Sequence, residues 1–245
     1  MMARPKPETY RFDLDAALSS VIGVQAQIPP DAFTASILGT DRAGNGVLIG
    51  TEGVVLTIGY LVTEADTVWL KAADGRAING HVLAYDQETG FGLVQALGDL
   101  HAPVMALGQS AEAQVGDPVI IAGYGGRKAA LEARIVAKQE FAGYWEYLLD
   151  EAFFTAPAHP DWGGAAVIGA DGTLLGVGSL TVQQGGQQGG EQAGFGTEPQ
   201  SLNMAVPIDL LKPILNDLMT RGRRRPPPRP WLGLYATEID DRVVI

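Results

Sequence analysis

There is no cysteine in the 245 residues, so neither a disulfide framework nor thiolate chemistry is open to this chain. Histidine is nearly as scarce: His81, His101 and His159 are the only three, and none stands at metal-ligand spacing to another or to a carboxylate. No glycine-rich element has the spacing of a phosphate-binding loop, so neither a metal nor a cofactor is expected. Positive charge is in deficit, with 17 Lys and Arg against 28 Asp and Glu and a net charge of -11. Phosphate binding needs a basic surface, which argues against nucleic acid as the main partner. Long apolar runs are missing as well. No stretch approaches the roughly 20 residues of a membrane span, and residues 1–15 lack the apolar segment of a signal peptide. A cytoplasmic location without a membrane span is therefore expected, or a periplasmic one if a leader has been removed.

What the chain does have is glycine and short apolar runs. A hydrophobic fraction of 46%, with 32 Gly and 15 Pro, suits many short strands joined by tight turns, and the length suffices for one large all-β domain or two lobes. Strand-length runs fall at 35–38, 47–49, 54–57, 68–72, 82–85 and 93–96. A second set falls at 119–122, 131–137, 144–149, 153–156, 165–168, 174–180 and 202–206. Asp74-Gly75 and Asp171-Gly172 supply turn chemistry, since both residue types tolerate positive φ. Two groups of about six strands with no helix between them predict two antiparallel six-stranded β-barrels, at about 31–115 and 116–206. The cleft between such barrels is the natural ligand site.

The flanks read differently. Residues 1–30 mix proline, charge and one weakly amphipathic segment at 14–24, and are expected to form an arm. Residues 181–201 include the run QQGGQQGGEQAGFG, which has nothing to pack and is expected to be a mobile surface loop. Leu211, Ile214, Leu215 and Leu218 recur at helical spacing, predicting a C-terminal helix over about 209–219, with Pro213 setting its start or kinking it. Residues 221–230, RGRRRPPPRP, read as a solvated linker rather than a docking patch. Residues 231–245 are too few for a domain and are expected to be the truncated start of one.

Four segments in order carry a resemblance: GNGVLIGTEGVVLTIGYLV at 44–62, YDQETGFGLVQA at 85–96, LGQSAEAQVGDPVIIAGY at 107–124 and PAHPDWGGAAVIGADGTLLGVGSL at 157–180. Together they resemble the protease domain of the HtrA/Deg branch of the trypsin-like serine proteases, over about 35–220. That family shows L-T-N-x-H-V-V in the first segment, D-x-x-x-D in the second and P-G-N-S-G-G-P in the last. The closing PWLGLYATEI is similar to the start of the PDZ domain that follows in the family. The resemblance also implies that the arm, around Tyr10 and Phe12, joins copies into a trimer.

The mechanism implied by the resemblance needs a histidine base, an aspartate to hold it, a serine nucleophile and backbone donors for the oxyanion. Those places fall on Tyr60, Gly90 and Trp162, and the oxyanion donor two residues before the nucleophile falls on Pro160. A phenol titrating near ~10 is no base at neutral pH, glycine offers no carboxylate, indole offers no nucleophile and proline has no N–H. No catalytic residue is expected at these positions. The resemblance instead implies a peptide-binding cleft formed by Tyr60, Trp162, Gly163 and Gly164 with the strand residues Gly178, Ser179, Leu180 and Thr181. Two readings follow: an inactive protease homologue that binds a peptide or unfolded protein segment, or a serine endopeptidase with relocated groups drawn from His159, Asp161, Asp66, Asp86 and Ser179.

Overall fold

Asp13 caps the first helix, α1 (Leu14–Ser19), by accepting from the Ala16 amide at 3.0 Å, and Leu14 and Leu18 bury one face of it. That apolar spacing runs on to Val21 and Ile22, which is why residues 14–24 look like one helix in the sequence. The chain instead leaves the helix at Ser20 and extends as β1 (Val21–Gln27), where Val21, Ile22 and Val24 fit a pleated surface. The computed structural model describes residues 3–143, 147–184 and 200–225, and the backbone of 237–239 and 242–244.

β1 pairs with β2 (Asp41–Gly50) on one side and β4 (Thr67–Lys71) on the other. With β3 (Val54–Ile58), β5 (Ala77–Tyr85) and β6 (Phe91–Ala96) it closes a barrel in the order β1-β2-β3-β6-β5-β4. The arm expected over 1–30 is therefore shorter by all of β1, and the first barrel begins before residue 31. Residues 35–38, expected as its first strand, form a helical turn, α2 (Ala35–Leu38). A four-residue apolar run does not distinguish the two states. Glu64 decides it here, accepting from the Phe33 and Thr34 amides at 3.0 and 2.8 Å and from the Thr34 hydroxyl at 2.6 Å.

The second barrel comprises β7 (Pro118–Ala122), β8 (Ala130–Ala142), β9 (Leu148–Ala156), β10 (Ala166–Ile168), β11 (Leu174–Gln184) and β12 (Gln200–Pro207), closed as β10-β11-β12-β9-β8-β7. The runs 144–149 and 153–156, expected as two strands, meet in the single strand β9, and residues 144–146 lie outside the described residues. Both barrels are filled by inward-facing apolar side chains, with Leu56, Leu93 and Phe91 fully buried in the first and Ile135 and Phe153 in the second.

After β12 a 3-10 turn (Ile208–Leu210) precedes α3 (Leu215–Arg221). Pro213 lies between them and lacks the amide a continuous helix needs, which splits the helix expected over 209–219. Beyond α3, Arg224 pairs with Asp86 at 2.8 Å and Glu88 at 2.7 Å, and Arg225 pairs with Asp217 at 3.3 Å. This end of the arginine run is docked on the protein, not solvated as expected. Of the loop expected over 181–201, residues 181–184 belong to β11 and 200–201 to β12, while 185–199 lie outside the described residues, as do 226–230 and most of 231–245, the stretch expected to begin a PDZ domain; within the last, β13 (Thr237–Ile239) pairs with β14 (Arg242–Val244). Among the described residues, no helix is long and apolar enough to cross a membrane. In the arm, the Tyr10 and Phe12 rings stand 5.3 Å apart on this chain's own core, and the Tyr10 hydroxyl donates to Glu132 at 3.0 Å.

Candidate functional site in the cleft between the barrels

The wall contributed by the first barrel is built around Tyr60, which lies on a 3-10 turn (Gly59–Leu61) at the end of β3. Arg42 holds that turn from inside. The residue is 5% exposed, and its guanidinium donates to the carbonyls of Tyr60 at 2.7 Å, Thr63 at 3.2 Å and Gly39 at 3.1 Å, and to the Thr34 hydroxyl at 2.7 Å. Burial pushes Arg42 below its ordinary value, and the Glu64 carboxylate works against that shift. Positioned in this way, the Tyr60 hydroxyl crosses the cleft and donates to the Ser179 carbonyl at 2.7 Å.

Gly90 lies behind Tyr60. Its amide donates to the Asp86 carbonyl at 2.8 Å and its carbonyl accepts from the Gly59 amide at 2.7 Å, so it is tied to the Tyr60 turn through the backbone alone. Its φ of +79° favours glycine. A Cβ there would also collide with Tyr147, standing 2.8 Å from Cδ1 of the ring and closer still to Cε1. Tyr147 therefore occupies the space that a side chain at position 90 would need, and its hydroxyl shares a hydrogen bond with the buried Ser179 hydroxyl. Two polar groups of Ser179 are thus held by tyrosines, the carbonyl by Tyr60 and the hydroxyl by Tyr147.

The opposite wall is the turn at 157–165. Asn45 on β2 links it to the first barrel, its side-chain amide donating to the Asp161 and Gly163 carbonyls at 3.0 Å each and accepting from the Tyr124 amide at 2.7 Å. Trp162, half-buried, accepts from the Ala165 amide at 3.0 Å through its carbonyl. Gly163 passes close enough to Tyr60 that a Cβ on it would stand 3.0 Å from the hydroxyl. Gly164 has φ +74°, and a Cβ there would press into the Asn45 peptide, 2.7 Å from its carbonyl carbon. Its amide donates to the Gly178 carbonyl at 2.8 Å, joining the turn to β11.

His159 in this turn is fully engaged. Its Nδ1 accepts from the Asp161 amide at 3.0 Å and its Nε2 lies 3.0 Å from the Ala129 carbonyl, which can only accept. These partners place the proton on Nε2, which donates to the carbonyl, and commit the Nδ1 lone pair to the Asp161 amide. Its backbone is clasped by Asn203, which also donates to the Thr181 hydroxyl at 3.0 Å. Among the described residues no serine or threonine hydroxyl bonds to a histidine ring. Asp86 is occupied by the Thr89 amide and hydroxyl and by Arg224. His101 pairs with Asp99 on the exposed surface at 2.6 Å. No group of three metal-ligating side chains occurs among the described residues.

The cleft therefore brings together Tyr60, Gly90, Gly163, Gly164, Gly178 and Ser179, with Trp162 and Pro160 on the turn and Leu180 and Thr181 half-buried on β11. Through Val177, β11 pairs with both β10 and β12; from Ser179 onward its strand partner is β12 alone. Three side chains that shape the site were not singled out from sequence: Arg42, Asn45 and Tyr147. Asn45 carried a usable signal, because asparagine between two glycines in an otherwise apolar strand calls for a buried polar partner. Tyr147 carried none, since its role depends on a void created far away in the chain.

A family model described as trypsin-like peptidase domain matches residues 44–177, more than half of the chain. Among curated proteins the chain is similar to a probable periplasmic serine endoprotease DegP-like of Hahella chejuensis, 24% identical over 80% of this chain and 39% of that protein. It is also similar to the putative serine protease HhoA of Synechocystis, at 26% over 80% of this chain and 47% of that protein. The serine protease Do-like HtrA of Bacillus subtilis matches at 21% over 93% of this chain and 51% of that protein. The chain thus spans about half the length of these relatives, or less. Two solved structures share the fold: an HtrA-type protease AlgW with tripeptide, TM-score 0.64 at 18% identity over 84% of this chain and 64% of that one, and AlgW with decapeptide, TM-score 0.65 at 19% over 91% and 71%. Several of the curated relatives are named periplasmic, which overturns the cytoplasmic location expected from residues 1–15. That expectation leaned on one short segment, whereas sorting is decided by signals that receptors read. The closed pair of six-stranded barrels, the ordered segments and the family model converge: the chain belongs to the trypsin-like peptidase family and has the HtrA/Deg-type serine protease fold.

Proposed function

We propose that this domain is a non-hydrolytic protease homologue that captures an extended peptide or unfolded protein segment along the β11 edge. The observation that carries the reading is the state of Ser179, whose carbonyl and hydroxyl are held by Tyr60 and Tyr147. The resemblance assigns a histidine and an aspartate to positions 60 and 90, and here a phenol and a packed ring take up that space. Removing triad members lowers turnover by roughly 10⁴ to 10⁶, and with Pro160 at the position the resemblance assigns to an oxyanion donor a further loss of about 10²-fold or more follows. His159, the histidine of the turn at 157–165, has both ring nitrogens committed to the backbone.

Capture without cleavage uses what is left. From Leu180 the strand has main-chain groups on the side away from β12, and an extended segment can add to such an edge by strand pairing. A periplasmic location, a trimer joined through the arm around Tyr10 and Phe12, and a PDZ-type module from residue 231 belong to the same proposal and rest on the relatives and the resemblance. Sedimentation of the chain beside a variant lacking residues 1–12 tests the trimer. The central test is a fluorophosphonate probe together with a casein-cleavage assay. No labelling and no cleavage are expected, and stoichiometric labelling of any serine overturns the proposal.

A further inference from the structure

Next to the cleft, on the far side of the turn at 159–161, lies an open groove of about 1360 Å³ between the start of the arm and the loop ahead of β8. Its lining includes Arg4, Lys6, Arg127 and Lys128, and Asp161 is its one acidic residue. Four of the chain's 17 cationic side chains thus border one groove of a protein whose net charge is -11. Arg127 is partly neutralised by Asp15 at 3.1 Å. Arg4, Lys6 and Lys128 are exposed, and none of them forms an ion pair with another of the described residues.

We infer that this groove receives an acidic segment of the captured peptide. The inference rests on the peptide-capture reading for the path of the chain: Pro160 and Asp161 line the groove, and the next residue, Trp162, opens the cleft, so a peptide running along β11 and past this turn enters it. Three unneutralised cations on a concave surface complement two or more carboxylates, and concave walls concentrate that field. The volume exceeds the roughly 300–1,000 Å³ typical of a small-molecule site, as a peptide of several residues requires. An extended nucleic acid fits less well, because the acidic remainder of the surface repels a long polyanion.

The test is fluorescence anisotropy on the full chain, using a fluorescein-labelled Glu/Gly peptide and its Gln/Gly counterpart, with inorganic tripolyphosphate and a single-stranded oligonucleotide as competitors. The Glu peptide is expected to bind about tenfold more tightly at low salt, with the advantage fading as salt screens it. The combined variant Arg4→Glu, Lys6→Glu and Lys128→Glu is expected to abolish the advantage without shifting the melting temperature; the corresponding Gln variant serves if charge reversal impairs folding. Equal binding of the two peptides, an advantage that survives the variants, or stronger binding of the oligonucleotide or tripolyphosphate than of the Glu peptide overturns the inference. If the Gln peptide binds as well as the Glu peptide, the groove assignment fails and capture stands. If only the Glu peptide binds, and does so through the groove, the edge-capture reading fails and the groove stands. If neither binds, both fall.

Discussion

The two walls of the cleft differ in what holds them. On the first-barrel wall, Tyr60 and Gly90 stand where the resemblance assigns acid–base chemistry, and a ring from the β8–β9 connection fills the space beside Gly90. On the second-barrel wall the turn at 157–165 is held by backbone bonds, Gly164 to Gly178, Ala165 to Trp162 and Asn45 to Gly163, and by the Asn45 side-chain amide on the Asp161 and Gly163 carbonyls. Side-chain chemistry can be exchanged as long as the void is refilled, because packing depends on volume. The glycines at 164 and 178 cannot be exchanged in that way, because an added Cβ at either strikes a backbone atom, of Asn45 or of Trp162, that has nowhere to go.

The sharpest way to break this contrast is Gly164→Val, which combines positive φ with a collision against the Asn45 peptide. A loss of about 3–5 kcal/mol is expected by chemical denaturation, and a near-native midpoint would show that the frame is softer than described. Next in size, Gly90→Asp should destabilise by about 1–3 kcal/mol through overpacking against Tyr147 and restore no hydrolysis. Adding Tyr147→Ala should recover part of that loss, giving a coupling in a double-mutant cycle; additive effects would mean that Tyr147 is not what fills the site. Tyr60→Phe should cost about 1 kcal/mol, the worth of one hydrogen bond. It should also tighten peptide binding by freeing the Ser179 carbonyl, and weaker binding would instead make the phenol a direct contact.

The smallest effect concerns pH. Burial first, and then the hydrogen bond to Glu132 and its charge, push the Tyr10 phenol from 10.0 up to about 12. The folded chain therefore holds this proton where the unfolded chain has lost it. The contribution is fully present below about pH 10 and is lost as pH rises through about 12. Tyr10→Phe should flatten that alkaline limb in thermal melts; an unchanged limb would place the arm off the barrel in solution.

Much of the fold was legible because barrels announce themselves through short apolar runs and turn residues, and β3, β6, β7 and β12 sit where those runs fall. The failures occurred where local pattern is degenerate. Residues 21–24 continue the spacing of a helix and residues 35–38 have the composition of a strand, and each was decided by long-range partners: β2 and β4 in one case, Glu64 in the other. The cytoplasmic expectation failed for a different reason, since folding physics does not encode location.

The amino-acid sequence by itself determined the two-barrel class and carried the resemblance that assigns Tyr60, Gly90 and Trp162 to the family's chemical positions, because alternation, turns and motif order are local properties. Only the tertiary structure decided that Tyr147 fills the space beside Gly90, that Tyr60 closes on Ser179, that His159 has no free nitrogen and that four cations share one groove. Each of these joins segments distant in the chain, and such proximity exists only once both barrels have closed.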